Sequence, residues 1–354
     1  MVSFVSPAMD EEMIRAAGYA FQNERMTNGE SCSKFEEEFA KFIGAKHAVA
    51  VNNGTNALMF TQMGLGLQYD GVATTPMSFI ATANSILHAN NCPVFIDIKP
   101  NLHMNLGGVD TKDFWLAKRA IMPVSLYGHR TNLDEIKVIC DDFGKFMIED
   151  NAQWHCKGSG VVGNAACYSF YTTKNMTVGG DGGMVVTDDA ELAERVRNIS
   201  NCGRTSHDSF GAVGYSGRLS TALAAIGRVQ LKHLDEWNHL RAHFARIYCE
   251  NLRGVGDIEL MEATDKSTWH LFTIRTPRRD ELKEYLKNEG IPTMIHYPKP
   301  IHLQDVYVEK YSYTAGTFPT AEMNAKQTLS LPMHPFLKHE EVILVCEKIK
   351  EFFQ

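Results

Sequence analysis

Short runs of almost wholly apolar residues, separated by stretches with helical spacing, constrain this chain more than any other feature. Runs of strand length fall at residues 47–51, 72–76, 93–98, 120–124, 145–150 and 184–187. Between them apolar side chains return every three or four residues, as at Phe35, Phe39 and Phe42, which is the period of a helix. A strand that is apolar on both sides needs cover on both sides, and strands joined through helices pair in parallel. The pattern therefore predicts an α/β fold, a mostly parallel sheet covered by helices on both faces. In such sheets ligands gather at the carboxyl ends of the strands, where Gly54, Thr55, Ser78, Phe79 and Asp150 are expected.

A long alanine-rich helix expected over 222–240 ends this alternation. Trp237 and the mixed charges after it mark a helix leaving a large domain, 1–236, for a smaller C-terminal α+β domain, 237–354. The smaller part has a strand pattern at 270–274 and a helical one at 279–289, stopped by Gly290 ahead of Ile291 and Pro292. An amphipathic closing helix is expected at 340–352. The net charge of −7, without a block of Lys or Arg, argues against a nucleic-acid partner and against anionic membranes. No apolar run approaches the length of a membrane span, and the first residues lack the basic-then-apolar order of a secretory leader, so a cytoplasmic protein is expected. Eight scattered cysteines without a C-x-x-C pair read as reduced thiols rather than a disulfide frame or a metal site.

The chemistry concentrates in two stretches. Lys174 lies among small and hydroxylated residues, after the apolar-aromatic segment 165–171 and before the glycine run at 179–183. Desolvation there disfavours its ammonium form, and the free amine can attack a carbonyl to make a Schiff base, with pyridoxal phosphate the natural partner. The plainer alternative is one of 35 basic residues on an ordinary loop. Asp150 ends an apolar strand and needs a cationic partner: the protonated ring nitrogen of that cofactor would serve, or else the carboxylate caps a turn. Gln153, His155 and Ser169 bring further polar groups within 25 residues of Asp150. The turn at 52–56, N-N-G-T-N, lies between a strand and a helix, an arrangement that binds phosphate at the helix N-terminus or simply caps the helix. His296 and Tyr297 are candidates for substrate contacts, with packing as the alternative.

Side by side, E-D-N-A-Q-W-H at 149–155 and S-F-Y-T-T-K-N at 169–175 resemble the pyridoxal-phosphate sugar aminotransferases of the DegT type. The resemblance runs from T-N-G-E-S-C-S-K-F-E-E-E-F-A near the start to A-E-M-N-A-K-Q-T-L-S-L-P-M-H-P near the end. It implies the aspartate-aminotransferase fold, with the large domain binding pyridoxal 5′-phosphate. By this resemblance Lys174 is the Schiff-base lysine and general base, Asp150 pairs with the ring nitrogen, and Gln153 reaches the ring hydroxyl. Gly54, Thr55 and Ser169 hold the phosphate, and Phe79 stacks on the ring. It further implies a homodimer with shared active sites, a keto nucleotide-sugar as acceptor and glutamate or glutamine as donor. An aminocyclitol aminotransferase, a sugar dehydratase and a non-catalytic sensor are the alternatives; relatives that dehydrate replace the lysine by histidine, whereas this chain keeps Lys174. The family usually reads G-Y-N-x-R where this chain has Gly214-Tyr215-Ser216-Gly217-Arg218. Ser216 is shorter than the asparagine it replaces, so more of the contact to the neighbour's phosphate, or to a substrate carboxylate, is expected from Arg218.

Overall fold

A computed structural model describes residues 2–108, 118–261 and 266–354. Two helices lead, α1 (Glu11–Asn23) and α2 (Glu30–Ile43), followed by β1 (His47–Val51), α3 (Gly54–Gly64), β2 (Gly71–Thr74), α4 (Ala81–His88) and β3 (Cys92–Phe95). Then come β4 (Ala120–Ile121), α5 (Leu133–Asp142), β5 (Phe146–Asp150), β6 (Ala165–Ser169), β7 (Gly183–Thr187) and α6 (Ala190–Ser200). A long α7 (Thr221–Leu252) leads into β8 (Glu259–Leu260), β9 (Phe272–Arg275), α8 (Arg279–Asn288), α9 (Asp305–Tyr311), α10 (Pro319–Gln327), β10 (Thr328–Leu331) and α11 (His339–Phe353).

Seven strands form one sheet in the order β1-β7-β6-β5-β4-β2-β3. All neighbours pair in parallel except β7, which is antiparallel to both β1 and β6. The expected mostly parallel sheet is thus present, with one reversed strand. Successive side chains of its strands enter different cores: Val49 and Val51 of β1 pack with Cys167 of β6 and Val185 of β7, while Ala48 and Ala50 pack with Tyr168 and Met184 on the other face. Cover on both faces is why these strands read as continuous apolar runs.

Two strands are shorter than their apolar runs. In the run at 120–124 the regular strand covers only Ala120 and Ile121, because Pro123 has no N–H for a ladder; Met122 N still donates to Ala73 O, the Pro123 carbonyl accepts from Asp150 N, and Val124 bridges Asp150. The run at 270–274 enters its sheet only at Phe272, after Trp269 adopts a left-handed backbone with φ 47°. Helix α7 passes unbroken through residues 236 and 237. Its first half, with Ala224, Leu231 and Leu234, packs against the large sheet's core, and its second half, with Phe244, Ile247, Tyr248 and Leu252, builds the core around β9 and β10. Val2 lies in that second core, so the extreme N-terminal residues pack with C-terminal ones. No helix among the described residues is long and apolar enough to cross a membrane, and none of their His, Cys, Asp and Glu side chains form a group able to hold a metal.

Candidate active site

Strand register builds the site. Gly183 opens β7 between Val51, the last residue of β1, and Ser169, the last of β6. The turn leaving β1 therefore lies against the end of β6. Side chains are excluded at this junction: a Cβ on Gly183 would come within 2.5 Å of the Asn53 carbonyl, and one on Gly54 within 2.8 Å of Ser169 Cβ. Asn53 caps α3 by accepting from Asn56 N at 2.8 Å. The bare N–H groups at the start of α3, with Thr55, thus face the same corner as Ser169, where an anion is favoured.

Two strands away, Asp150 ends β5 and is 3% exposed. Thr82 Oγ1 donates to Oδ2 at 2.7 Å and Ala152 N donates to Oδ1 at 3.2 Å. Burial raises its pKa, opposed by these two bonds and by the charge of Lys174. Lys174 follows β6 in a turn closed by its own N–H to Tyr171 O, 2.8 Å. Its amine has no hydrogen-bond partner among the described residues. Burial lowers its pKa to about 8, and Asp150 pulls the other way. At about pH 7.5 such an amine is uncharged in roughly a quarter of molecules, against about one in a thousand for an ordinary lysine. A larger share of free amine is what a lysine that attacks a carbonyl needs.

Gln153 is oriented by the protein itself. Its Oε1 accepts from Tyr127 N at 2.7 Å and its Nε2 donates to Tyr297 Oη at 3.0 Å. Tyr127, held at φ 57°, also donates its hydroxyl to His296 O. Tyr297 lies 5.8 Å, ring to ring, from Phe79, which is 54% exposed. Three imidazoles surround the amine electrostatically: burial, then the Lys174 charge, holds His155 near pKa 3, His296 near 4, and His270 well below the ordinary value. All three are neutral at physiological pH.

Asp150, Gln153, Ser169, Lys174, His296 and Tyr297 are thereby linked by bonds, packing or field, and Gly54 touches Ser169. Ser216 and Arg218 lie at the β1 end of the site, where Val51 bridges Arg218 and Asn52 N donates to Gly217 O at 2.8 Å. Arg218 donates to Asn201 Oδ1 at 2.5 Å and to Ser216 Oγ at 3.1 Å, while its buried Nε has no partner. No bond joins either residue to Asp150, Gln153 or Lys174 among the described residues. The segment leading to them exposes Phe210, Val213 and Tyr215, with Val213 86% exposed. Thr82, Tyr127, Asn175 and His270 belong to the site or its support without having been singled out from the sequence, since their partners are remote in the chain.

The sequence model of the DegT/DnrJ/EryC1/StrS aminotransferase family matches residues 7–350. A pleiotropic regulatory protein of Geobacillus stearothermophilus is 39% identical, over 97% of this chain and 95% of that protein. The dTDP-3-amino-3,4,6-trideoxy-alpha-D-glucose transaminase of Streptomyces venezuelae is 37% identical, over 92% and 87%. The structure of S. venezuelae DesV in complex with a ketimine intermediate superposes with a TM-score of 0.91 at 35% identity, covering 97% of this chain and 94% of that one.

Proposed function

The chain belongs to the DegT/DnrJ/EryC1/StrS aminotransferase family, and from that premise we propose that it carries an amino group from glutamate or glutamine to a keto nucleotide-sugar, with pyridoxal 5′-phosphate as carrier. One feature carries this function: a lysine amine without a hydrogen-bond partner among the described residues, its pKa brought down by burial to about 8, acted on by the buried Asp150 carboxylate. Relatives named as transaminases of dTDP- and UDP-linked sugars support the acceptor class. Neighbours solved with pyridoxamine phosphate or pyridoxal phosphate support the carrier.

The residues present fit that carrier. Its aldehyde needs an amine, its ring nitrogen a carboxylate, its ring hydroxyl a donor and its phosphate an anion cradle. Lys174, Asp150, the second Nε2 hydrogen of Gln153, and the start of α3 with Thr55 and Ser169 supply these in turn. When bound, pyridoxal 5′-phosphate supplies a carbonyl that holds the amino group and a ring that takes up the electron pair left on the substrate carbon. Asp150, acting as a carboxylate, holds the proton on the ring nitrogen, which is what makes the ring an electron sink. Lys174 Nζ would be the base that holds and returns the proton at the reacting carbon, of the amino-group donor in one half of the reaction and of the sugar in the other. Phe79, exposed beside Tyr297, would cover one face of the ring, and His296 and Tyr297 would meet the sugar.

Two copies share each site in this proposal. Phe210, Val213 and Tyr215, in the segment ending at Arg218, stay largely exposed even though Tyr215 packs on Phe60 and Arg204 lies over Phe210; this apolar exposure fits a contact with a second copy that receives Ser216 and Arg218. All eight cysteines are free, which fits a cytoplasmic setting.

Lys174→Ala is expected to abolish transamination of a panel of keto nucleotide-sugars while the protein stays folded; normal turnover by this variant refutes the function. For the shared site, Lys174→Ala and Arg218→Ala subunits are each expected to be dead alone. After exchange they should recover about a quarter of wild-type activity, because half of the dimers are mixed and each of those has one intact site. Mixtures that remain inactive after demonstrated subunit exchange refute sharing.

A further inference from the structure

The segment carrying Lys174 is held at both ends by one network. Asn175 Nδ2 donates to Thr268 O at 2.7 Å and to Asn238 Oδ1 at 2.8 Å. A carbonyl oxygen only accepts, so the nitrogen of the Asn175 amide must face Thr268, and both of its hydrogens are used. The Asn175 oxygen therefore faces His270 Nδ1, 3.2 Å away, and that nitrogen must be the donor. His270 is 6% exposed and neutral, so its proton sits on Nδ1 and Nε2 carries a lone pair.

The same reasoning extends to the other end. Asn238 has its oxygen committed to Asn175, and its Nδ2 donates to His155 O at 2.8 Å. His155 Nε2 lies 2.9 Å from Ser169 O and must be its donor. Its Nδ1 is then a bare lone pair, and it is indeed buried without a partner. A continuous path thus runs from Ser169 through His155, Asn238 on α7 and Asn175 to His270 beside β9. Every proton on it has one permitted position. Lys174 lies between the two ends, preceding Asn175 directly.

We propose that His270 is a positioning residue for Lys174: its Nδ1–H holds the Asn175 side-chain oxygen, and through Asn175 it sets the place of the neighbouring amine. The lysine stretch is thereby tied to the core of the smaller unit, so movement of β9 is felt at the amine. The charge that acts on the amine is that of Asp150 from β5; the amine's own charge acts on His155, His270 and His296, and Arg241 of α7 acts on His155 and His270 as well. Releasing the grip lets more water reach the half-buried amine, which moves its titration back toward that of an ordinary lysine.

The inference rests on Lys174 being the residue that captures the cofactor, and the test separates the two. Full-length protein freed of cofactor is mixed with pyridoxal 5′-phosphate across a pH series, the adduct is fixed with borohydride, and label on Lys174 is measured by mass spectrometry. His270→Asn keeps an N–H close to where Nδ1 stands; His270→Gln places its amide near Nε2 and leaves the Asn175 oxygen without a donor. Wild type and His270→Asn are expected to share one labelling midpoint. His270→Gln and Asn175→Ala should move it up by about one pH unit, or about tenfold less label near neutral pH. Asn238→Ala, on the half-buried side of α7, should move it the same way by less, and it supplies the measurement if His270→Gln does not fold. A role confined to stability would lower the melting temperature and leave the midpoint where it is. Equal midpoints for His270→Gln and wild type, or equal displacement of His270→Gln and His270→Asn, overturn the inference. Absence of label on wild-type Lys174 overturns the aminotransferase function itself.

Discussion

Asp150 tests the residue scale most directly. Its carboxylate is committed to Thr82 and Ala152 and has capacity left for one cationic hydrogen, which the ring nitrogen of the carrier would provide. Asp150→Asn keeps the shape and one acceptor but loses the charge. Turnover is expected to fall by about 10³–10⁴, the cost of a comparable misplaced proton in a catalytic array, with cofactor binding largely intact; a loss below tenfold would place Asp150 outside the chemistry. Lys174 and Asp150 were legible in the sequence because each sits in a local string whose residue types already state a need. The supporting residues were not. Thr82 reaches Asp150 across 68 residues and His270 reaches Asn175 across 95, so no spacing could reveal either pair. Arg218 marks the opposite case: its type and loop were noticed, yet within one chain it is bonded to Asn201 and Ser216, and the role proposed for it requires a second copy.

At the level of elements, the junction of β1, β6 and β7 decides where the anion corner lies. Within the glycine run at 179–183, positions differ sharply. A Cβ on Gly180 would meet nothing within 4 Å, whereas one on Gly183 would strike Asn53 and the Gly54 nitrogen at 2.5–2.8 Å. Gly183→Ala is therefore expected to cost about 1–3 kcal/mol of stability through overpacking. By displacing the start of α3 it should also weaken cofactor affinity in a spectroscopic titration; Gly180→Ala should change neither. Apolar runs exposed most strands to a reading of the sequence, since double-sided burial leaves no polar residues to blur them. The reversal of β7 left no such mark. Direction depends on the length of the connection and on what it packs against, and an apolar pentapeptide reads alike either way.

For the whole molecule, acid is the expected weakness. Burial holds seven histidines below their ordinary pKa among the described residues, namely His103, His129, His155, His270, His296, His302 and His334. Each remains neutral in the fold yet takes a proton near pH 6.5 once unfolded, so its contribution is complete above that pH and drains as pH falls toward the folded value, about 4 for His129 and His296. Three carboxylates, the part-buried Glu36 and the buried Glu149 and Asp150, are raised and pull the other way; the histidines outnumber them. The melting temperature is expected to drop by roughly 5 °C or more between about pH 7 and pH 5, and a flat profile would show that these imidazoles are not buried as neutral groups. How the molecule comes apart follows from α7. At 32 residues it spans about 48 Å, and one uninterrupted ladder of backbone bonds serves the cores of both halves. Neither half can melt without stripping the other of the helix it is built on. Calorimetry should record one cooperative transition for the full chain, and fragments cut on either side of residue 237 should fail to fold alone.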